Sequence, residues 1–277
     1  MKKILLSLAI CGNIFFADAQ TMKTPSSSTA QSVKQEFGLT TIDLSYSRPG
    51  KKGRNIFGEL VPYNAIWRTG ANSATTISFA DEVIIGGKKI PAGKYGLLSI
   101  PGAGEWTIIL TKQLDVTSPS AYKQDMDVVR VTAAVQNLPF EMETFTIMFG
   151  NVTSNSLDLM IVWDRTAVSL PISMDVDSKV MAQIDNAMNK DNKPYYQAAM
   201  YYMENGKDLN VAAQWFDKAT QATPNAFWVW HQKANCLARL GKKAEATAAA
   251  KKSIELATAA KNSDYVALNN KLLATLK

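Results

Sequence analysis

The first part of the chain has the hydrophobic pattern of β-strands. From about residue 33 to residue 172, short runs rich in Val, Ile, Thr, Phe and Tyr are separated by Gly, Pro, Asn and Asp. About nine such runs occur, and every second residue from Leu157 to Trp163 is apolar, so that these side chains share one strand face. Gly86-Gly87 predicts a tight hairpin turn. We therefore expect an antiparallel β-sandwich or barrel over residues 31–175.

Near residue 175 the pattern changes to that of α-helices. Ala, Lys, Gln and Asn replace the β-branched residues, which predicts a helical domain over residues 176–277. Asp208 and Asn225 are predicted N-caps, and Gly206 and Gly241 are predicted terminators. The expected helices cover residues 178–189, 194–204, 209–222, 226–240, 243–259 and 263–276.

A register of thirty-four residues relates two copies of a helix pair within residues 193–260. Small residues at aligned positions and Pro224 after the first copy resemble the tetratricopeptide repeat, which implies a surface for a protein partner. Trp228 cannot share the packing face of Trp230 and is the candidate partner-binding residue, although packing between the two domains is the preferred interpretation. The alternative interpretation is an ordinary array of helices that has no groove for a partner. The aligned pairs are Tyr196 with Trp230, Met200 with Ala234, Ala212 with Ala246, Phe216 with Ala250 and Ala219 with Ser253.

The N-terminus has the three-part pattern of a secretory signal peptide. Two lysines precede an apolar stretch over residues 4–16, and Ala17-Asp18-Ala19 resembles a cleavage site. The stretch is shorter than the roughly 20 residues that cross a bilayer, and no transmembrane segment is expected elsewhere. We predict a signal peptide at residues 1–19, a flexible lead-in at residues 20–30, and export to the periplasm or the extracellular space.

Cysteine and histidine are scarce, which limits the chemistry open to the chain. Cys11 resembles the cysteine of a lipoprotein box, but Ile10 stands where such boxes carry a small residue, so a lipid anchor is not expected. The mature chain keeps Cys236 and His231, five residues apart on a predicted helix and therefore on different faces. Neither a zinc site nor a His-based catalytic triad is expected, and no motif for a cofactor or a metal occurs.

Several short motifs between residues 46 and 110 follow one another in a specific order. Together they resemble the DUF2911 family, exported bacterial proteins common in Bacteroidetes-type genomes and lacking an assigned biochemical function. The resemblance covers most of residues 25–175 and implies a family and a compartment, but no mechanism. The motifs are Ser47-Arg48-Pro49, Gly53-Arg54, Ile56-Phe57-Gly58, Leu60-Val61-Pro62-Tyr63, Trp67-Arg68-Thr69-Gly70-Ala71-Asn72 and Pro91-Ala92-Gly93-Lys94-Tyr95.

Charge is unevenly distributed along the chain. The formal net charge is +6, the excess of basic residues lies in residues 176–277, and a local basic segment runs from Arg48 to Arg68. Guanidinium groups presented together favour carboxylate or phosphate, and a neighbouring aromatic ring suits a sugar. We therefore predict a site for an anionic or carbohydrate ligand. The alternative is that the arginines cap loop carbonyls while aromatic residues close one end of the sandwich. The candidate ligand-binding residues are Arg48, Arg54, Trp67, Arg68, Asn72 and Tyr95.

Acid pairs are the remaining candidates for chemistry. Asp125 and Asp127 stand two residues apart, as do Glu141 and Glu143, so the members of each pair would share a strand face. Such a pair could bind a cation or act as the carboxylates of a glycosidase, although simple solvation is the preferred interpretation.

No catalytic motif is found, so we expect a non-enzymatic exported module that binds a ligand or a protein. The alternative is a hydrolase of carbohydrate or an acidic envelope polymer. Binding of nucleic acid is not expected.

Overall fold

The computed structural model describes residues 24–276. The predicted signal peptide, including Cys11, and the first residues of the predicted lead-in lie outside this range. The described chain divides into two compact units, one ending at Met174 and the other beginning at Asp175.

Within the described residues, the first unit contains ten strands in two antiparallel sheets. One sheet has the order β1-β2-β3-β6-β7-β8, and the other has the order β5-β4-β10-β9. Both sheets are open, so the unit is not a closed barrel. The strands are β1 (Ser28–Phe37), β2 (Thr40–Pro49), β3 (Thr76–Phe79), β4 (Val83–Ile85), β5 (Lys88–Ile90), β6 (Gly93–Ile100), β7 (Glu105–Thr111), β8 (Asp127–Ala134), β9 (Gln136–Gly150) and β10 (Ser156–Ser173).

Apolar side chains at alternate strand positions form the core between the sheets. In β10, Leu157, Leu159, Ile161 and Trp163 are all at most 2% exposed, which confirms the predicted alternation. Tyr46 of β2 joins the two sheets: its hydroxyl donates to the carbonyl oxygen of Ile147 in β9 at 3.0 Å and accepts from the Ile147 N–H at 2.9 Å. A phenol that is buried in this way needs such a partner, so Tyr46 fixes the position of one sheet on the other.

In the first unit, the turn between β4 and β5 agrees with prediction, whereas the bounds of β10 and β1 differ from it. Gly86 and Gly87 have φ of 56° and 76° and connect β4 to β5, as predicted; a type I′ hairpin turn needs positive φ at both positions, which glycine adopts readily. Two of the runs predicted as separate strands, residues 156–163 and residues 167–173, are parts of one continuous strand, β10. β1 begins within the predicted lead-in, and it pairs with β2 from Ser28 to Phe37. Its mostly polar sequence gave little signal because backbone hydrogen bonds to β2, rather than burial, hold this edge strand.

In the part of the chain that the structure describes, the second unit consists of six helices. Their bounds lie within two residues of those predicted, and none of them is both long and apolar enough to cross a membrane. The helices are α1 (Val176–Met188), α2 (Tyr195–Glu204), α3 (Leu209–Ala222), α4 (Phe227–Arg239), α5 (Lys243–Ala259) and α6 (Ser263–Thr275).

Three of the four residues predicted to cap or end helices do so. Asp208 caps α3, where its carboxylate accepts from the Asn210 N–H, and Gly206 and Gly241 have positive φ after α2 and α4. The predicted N-cap Asn225 is wrong. α4 begins one residue later, with Ala226 as its N-cap and no side-chain cap.

Small residues let the helices of the second unit approach one another closely. Ala212, Ala234, Ala246 and Ala250 are all fully buried, and each occupies a position of the thirty-four-residue register, as does the larger, fully buried Phe216. The register therefore marks the packing positions of the second unit.

A buried hydrogen-bond network connects α4, α5 and α6. The Asn269 side chain is fully buried. Its amide oxygen lies 2.8 Å from His231 Nδ1, so Nδ1 carries the proton, and its amide nitrogen donates to Ser253 Oγ at 2.8 Å. His231 Nε2 in turn accepts from Asn235 Nδ2 at 3.1 Å. Because each partner is satisfied, the network specifies how α6 packs on its neighbours.

Replacing Asn269 with alanine is expected to lower the free energy of unfolding of the second unit by about 1–3 kcal/mol, because His231 Nδ1–H and Ser253 lose a buried partner. Asn270 is exposed on the same helix and supplies the matched control, Asn270→Ala. Denaturant titration of both variants measures the difference. Equal stability of the two variants would show that the network contributes nothing.

Candidate functional site

The connection between β2 and β3, residues 50–75, holds most of the predicted site residues. It is not a regular element, and isolated backbone pairs hold it in place. Trp67 N–H donates to the Ser99 carbonyl at 2.7 Å, and Ser99 N–H donates to the Trp67 carbonyl at 3.0 Å. Through Trp67 the connection is attached to β6 of one sheet, and through Gly50 it is attached to β9 of the other sheet. The pairs are Gly50 with Thr144 of β9, Phe57 with Val61, and Trp67 with Ser99 of β6.

Trp67 is one member of a cluster of aromatic rings. It stacks on Trp163 with a centroid distance of 6.1 Å and an interplanar angle of 16°. Its centroid lies 5.2 Å from that of Phe145, 6.0 Å from that of Trp106 and 6.2 Å from that of Phe57. Such contacts add to the stabilisation from burial, so the cluster fixes the connection against the core.

A cavity of about 440 Å³ opens beside this cluster, a volume in the range of small-molecule sites. Its apolar lining includes Val61 and Trp163, which are 4% and 2% exposed, the half-buried Ile66 and Trp67, and Leu60, which is 44% exposed. Its uncharged polar side chains are hydroxyl groups, from Ser27, Ser28, Thr117 and Ser118.

Three basic residues, Lys52, Arg54 and Arg68, also line the cavity. Arg54 donates from Nε to the Lys51 carbonyl at 2.9 Å and from Nη2 to the Gly50 carbonyl at 2.6 Å. Arg68 Nη1 donates to the Thr117 carbonyl. Neutral carbonyls thus orient both guanidinium groups without neutralising them, and each has five N–H donors, more than these contacts use.

Carboxylates are absent from the described lining of the cavity, which contains neither Asp nor Glu. The neighbouring Lys51, which does not line it, is the basic residue that acids neutralise. Its Nζ lies 2.8 Å from both Glu141 Oε2 and Asp164 Oδ1. The hydrogen bonds to Asp164 and then to Glu141 raise the pKa of Lys51. Glu141 and Asp164 are therefore engaged outside the cavity, with Lys51.

The ion pair of Lys51 with Asp164 involves an irregularity in β10. Asp164 has φ of 55°, and the register with β9 shifts on both sides of it. Such irregularities re-aim a side chain, here toward Lys51. Glu143 of β9 adds a second contact, because its Oε1 accepts from the Lys52 N–H at 2.9 Å. Glu141 and Glu143 thus hold the loop that carries Lys52 and Arg54.

A second loop, residues 112–126, supplies Thr117 and Ser118 to the cavity. Tyr122 anchors this loop: its hydroxyl donates to Asp127 Oδ2 at 2.5 Å and accepts from Arg130 Nη1 at 2.8 Å. Burial, and then the hydrogen bond to Asp127, raise the pKa of Tyr122 to about 12. Asp125 lies outside β8, so it does not share a strand face with Asp127.

The raised pKa of Tyr122 predicts a loss of stability at alkaline pH. The unfolded phenol loses its proton near pH 10.0 and the folded one near 12, so between these values the unfolded state binds fewer protons and the free energy of unfolding falls. Tyr122→Phe is expected to lose less stability between pH 9 and pH 11 than the unsubstituted protein. Denaturant titrations at both pH values test this. Tyr63→Phe, at an exposed tyrosine, is the control, and equal losses in all three proteins would contradict the assignment.

Three of the six predicted ligand-binding residues, Arg54, Trp67 and Arg68, line the cavity. The other three do not, and each makes a hydrogen bond within the protein. Arg48 donates from Nε to the Phe145 carbonyl and from Nη2 to Thr146 Oγ1, Asn72 Nδ2 donates to the Ser28 carbonyl, and the Tyr95 hydroxyl donates to the Pro91 carbonyl.

The cavity also includes residues that were not predicted for it. The sequence predicts Trp163 only on the apolar face of a strand, and nothing in the sequence near Thr117 and Ser118 indicates that they meet the β2–β3 connection. Leu60 had a signal, because it belongs to a motif block inside the basic segment.

The candidate groups of the second unit are separate from one another. Trp228 is 43% exposed, and its ring centroid lies 5.0 Å from that of Phe227. Cys236 is fully buried, with Sγ 3.5 Å from the Leu209 carbonyl, and burial raises the pKa of its thiol. His231 belongs instead to the Asn269 network, which agrees with the expectation that the two do not form a dyad.

Comparison with known proteins bears on the first unit. Neither the curated proteins nor the solved structures include a match to the chain. The profile of a family described as "Protein of unknown function (DUF2911)" matches residues 28–172, more than half of the chain and nearly all of the β-strand unit that contains the cavity. With this match over the strands and the loops at the cavity, the chain belongs to the DUF2911 family.

Proposed function

We propose that this protein is an exported, non-enzymatic binding protein whose β-strand unit binds a small anionic ligand in the cavity beside Trp67. The observation that carries the proposal is a lining with three basic side chains and, among the described residues, no acid. Export rests on the N-terminal sequence pattern, which predicts a signal peptide.

The electrostatics of the cavity support an anion as ligand. Arg54 and Arg68 are oriented by backbone carbonyls before any ligand binds, so little side-chain freedom is lost on binding. An anion that accepts from their remaining N–H groups gains charge-assisted hydrogen bonds, which are stronger than neutral ones. Lys52 is exposed and adds a flexible positive charge.

The proposal for the second unit is a surface for a protein partner, similar to that of tetratricopeptide repeats. Its support is the agreement between the thirty-four-residue register and the buried small residues Ala212, Ala234, Ala246 and Ala250. The exposed Trp228 is the candidate contact residue, and the excess of basic residues favours an acidic partner.

A hydrolase of carbohydrate or acidic polymer stays the alternative, but no observation at this cavity favours it. Such an enzyme needs two carboxyl groups across its cleft. Glu141 pairs with Lys51 and Glu143 accepts from the Lys52 backbone, so the nearest predicted acid pair has a structural role.

Titration of the full chain with octanoate, acetate and inorganic phosphate at low salt tests the proposed ligand site. We expect a saturable change in tryptophan fluorescence with at least one of these anions, because Trp67 and Trp163 line the cavity. The affinity should fall as NaCl is raised, since exposed charges are screened. Absence of saturable binding by every anion at low salt would contradict the proposed function.

A further inference from the structure

The lining of the cavity differs between its buried and its exposed residues. The most enclosed, Val61 and Trp163, are apolar, whereas the basic residues Lys52 and Arg54 are exposed and Arg68 is half-buried. A ligand that matches this arrangement places its charge where water also reaches and its apolar part against the buried surface. An inorganic anion would use the basic groups and leave the apolar lining without a partner.

The described part of the lining lacks the carboxylate and amide side chains that bind two neighbouring hydroxyl groups of a ligand at once. No Asp, Glu, Asn or Gln occurs in its described residues, although these side chains are the bidentate partners for neighbouring hydroxyls. Trp67 is also poorly placed as a stacking platform, because it already stacks on Trp163 and contacts three further rings. A sugar ring would find few of the contacts that it needs.

We infer that the ligand is a small amphiphilic anion, with one carboxylate or phosphate head group and one apolar body. The inference rests on the proposed function and adds the chemical class of the ligand. Arg54 and Arg68 bind the head group, and Leu60, Ile66 and Trp67 contact the body. A cavity of about 440 Å³ accommodates one short chain or ring, so the apolar contact has a limited length.

A homologous series of straight-chain carboxylates measures the apolar contact directly. Acetate, butanoate, hexanoate, octanoate and decanoate share one head group and differ only in their methylene groups. Each methylene that enters the cavity should raise the affinity about fourfold, until the cavity is filled and the affinity levels off. Glucuronate is the matched hydroxylated anion, since it has the charge and the carbon number of hexanoate. We expect hexanoate to bind more tightly than glucuronate.

A pair of leucine variants locates the contact. Leu60 lines the cavity and is 44% exposed, whereas Leu114 is 43% exposed and does not line it, so both tolerate a polar substitution equally well. Leu60→Asn should weaken decanoate binding several-fold more than it weakens acetate binding, and Leu114→Asn should change neither. Circular dichroism confirms that both variants fold.

The outcomes separate this inference from the proposed function. The inference of an amphiphilic ligand is wrong if the affinity for anions is independent of chain length, or if glucuronate binds more tightly than hexanoate. In either case the proposed anion site is still supported. If no anion binds, both the inference and the proposed function fail.

Lipids also combine an anionic head group with an apolar body, so binding to vesicles of phosphatidylglycerol is measured as a further test. Binding to vesicles without binding of free decanoate would overturn the inference, because the cavity has room for a single free amphiphile.

Discussion

Replacing Trp163 with alanine is expected to lower the free energy of unfolding of the β-strand unit by about 3–5 kcal/mol. Trp163 is 2% exposed and stacks on Trp67, and its ring centroid lies 5.6 Å from that of Phe145. Its Nε1–H donates to the Glu143 carbonyl at 3.2 Å. The substitution therefore removes a large buried surface, leaves a space among the remaining rings and removes one of the hydrogen bonds that the Glu143 carbonyl accepts.

Hydrogen exchange followed by mass spectrometry measures this effect because it reports on each unit separately. Amides of the β-strand unit should exchange much faster in Trp163→Ala, and those of the helical unit should not change. Trp228→Ala is the matched control, since Trp228 is exposed and a surface substitution usually changes stability by about 0.5 kcal/mol or less. Unchanged exchange of the β-strand unit in Trp163→Ala would refute the central role of this cluster.

The double substitution Arg54→Gln, Arg68→Gln is expected to weaken anion binding about a hundredfold. A hydrogen bond to a charged group contributes about 1.5–3 kcal/mol, so each lost guanidinium should lower the affinity at least tenfold. Both side chains contact backbone carbonyls and no acid of the described chain, so their removal leaves no buried carboxylate unpaired. The variant should therefore fold, which thermal denaturation checks.

A second double variant controls for the change in net charge. Lys34 and Lys94 are exposed residues of the same unit that do not line the cavity. Lys34→Gln, Lys94→Gln removes the same charge and should weaken octanoate binding only slightly, as measured by fluorescence titration. Equal losses in the two double variants would mean that the overall charge, and not the guanidinium groups of the cavity, attracts the anion.

The fold was predictable where burial follows the period of a strand or a helix. Some features depend only on residues that are neighbours in the sequence, so the local sequence pattern predicts them. These are the alternation from Leu157 to Trp163, the turn at Gly86-Gly87 and the helices of the second unit. β1 was predicted only in part, because an edge strand with one partner needs few apolar residues. The continuity of β10 was missed because Asp164 and Arg165 interrupt its apolar pattern without ending its pairing.

The candidate site was predictable only in its local part. Arg54, Trp67 and Arg68 belong to one connection, so their proximity follows from the chain itself. The order of strands across the two sheets decides the rest. It brings Trp163 and Thr117 to the cavity, and it places Arg48 beside the Phe145 carbonyl of β9, where a single sequence carries no signal.

The indole N–H resonances of the tryptophans test most directly that anions bind in this cavity. The chain has six tryptophans, and Trp67→Phe and Trp163→Phe variants assign the two resonances that matter. On titration with octanoate, the resonances of Trp67 and Trp163 should shift together along one saturation curve. Those of Trp215, Trp228 and Trp230 in the helical unit should not move. Saturable binding that leaves Trp67 and Trp163 unchanged, or that moves only the tryptophans of the helical unit, would contradict the account.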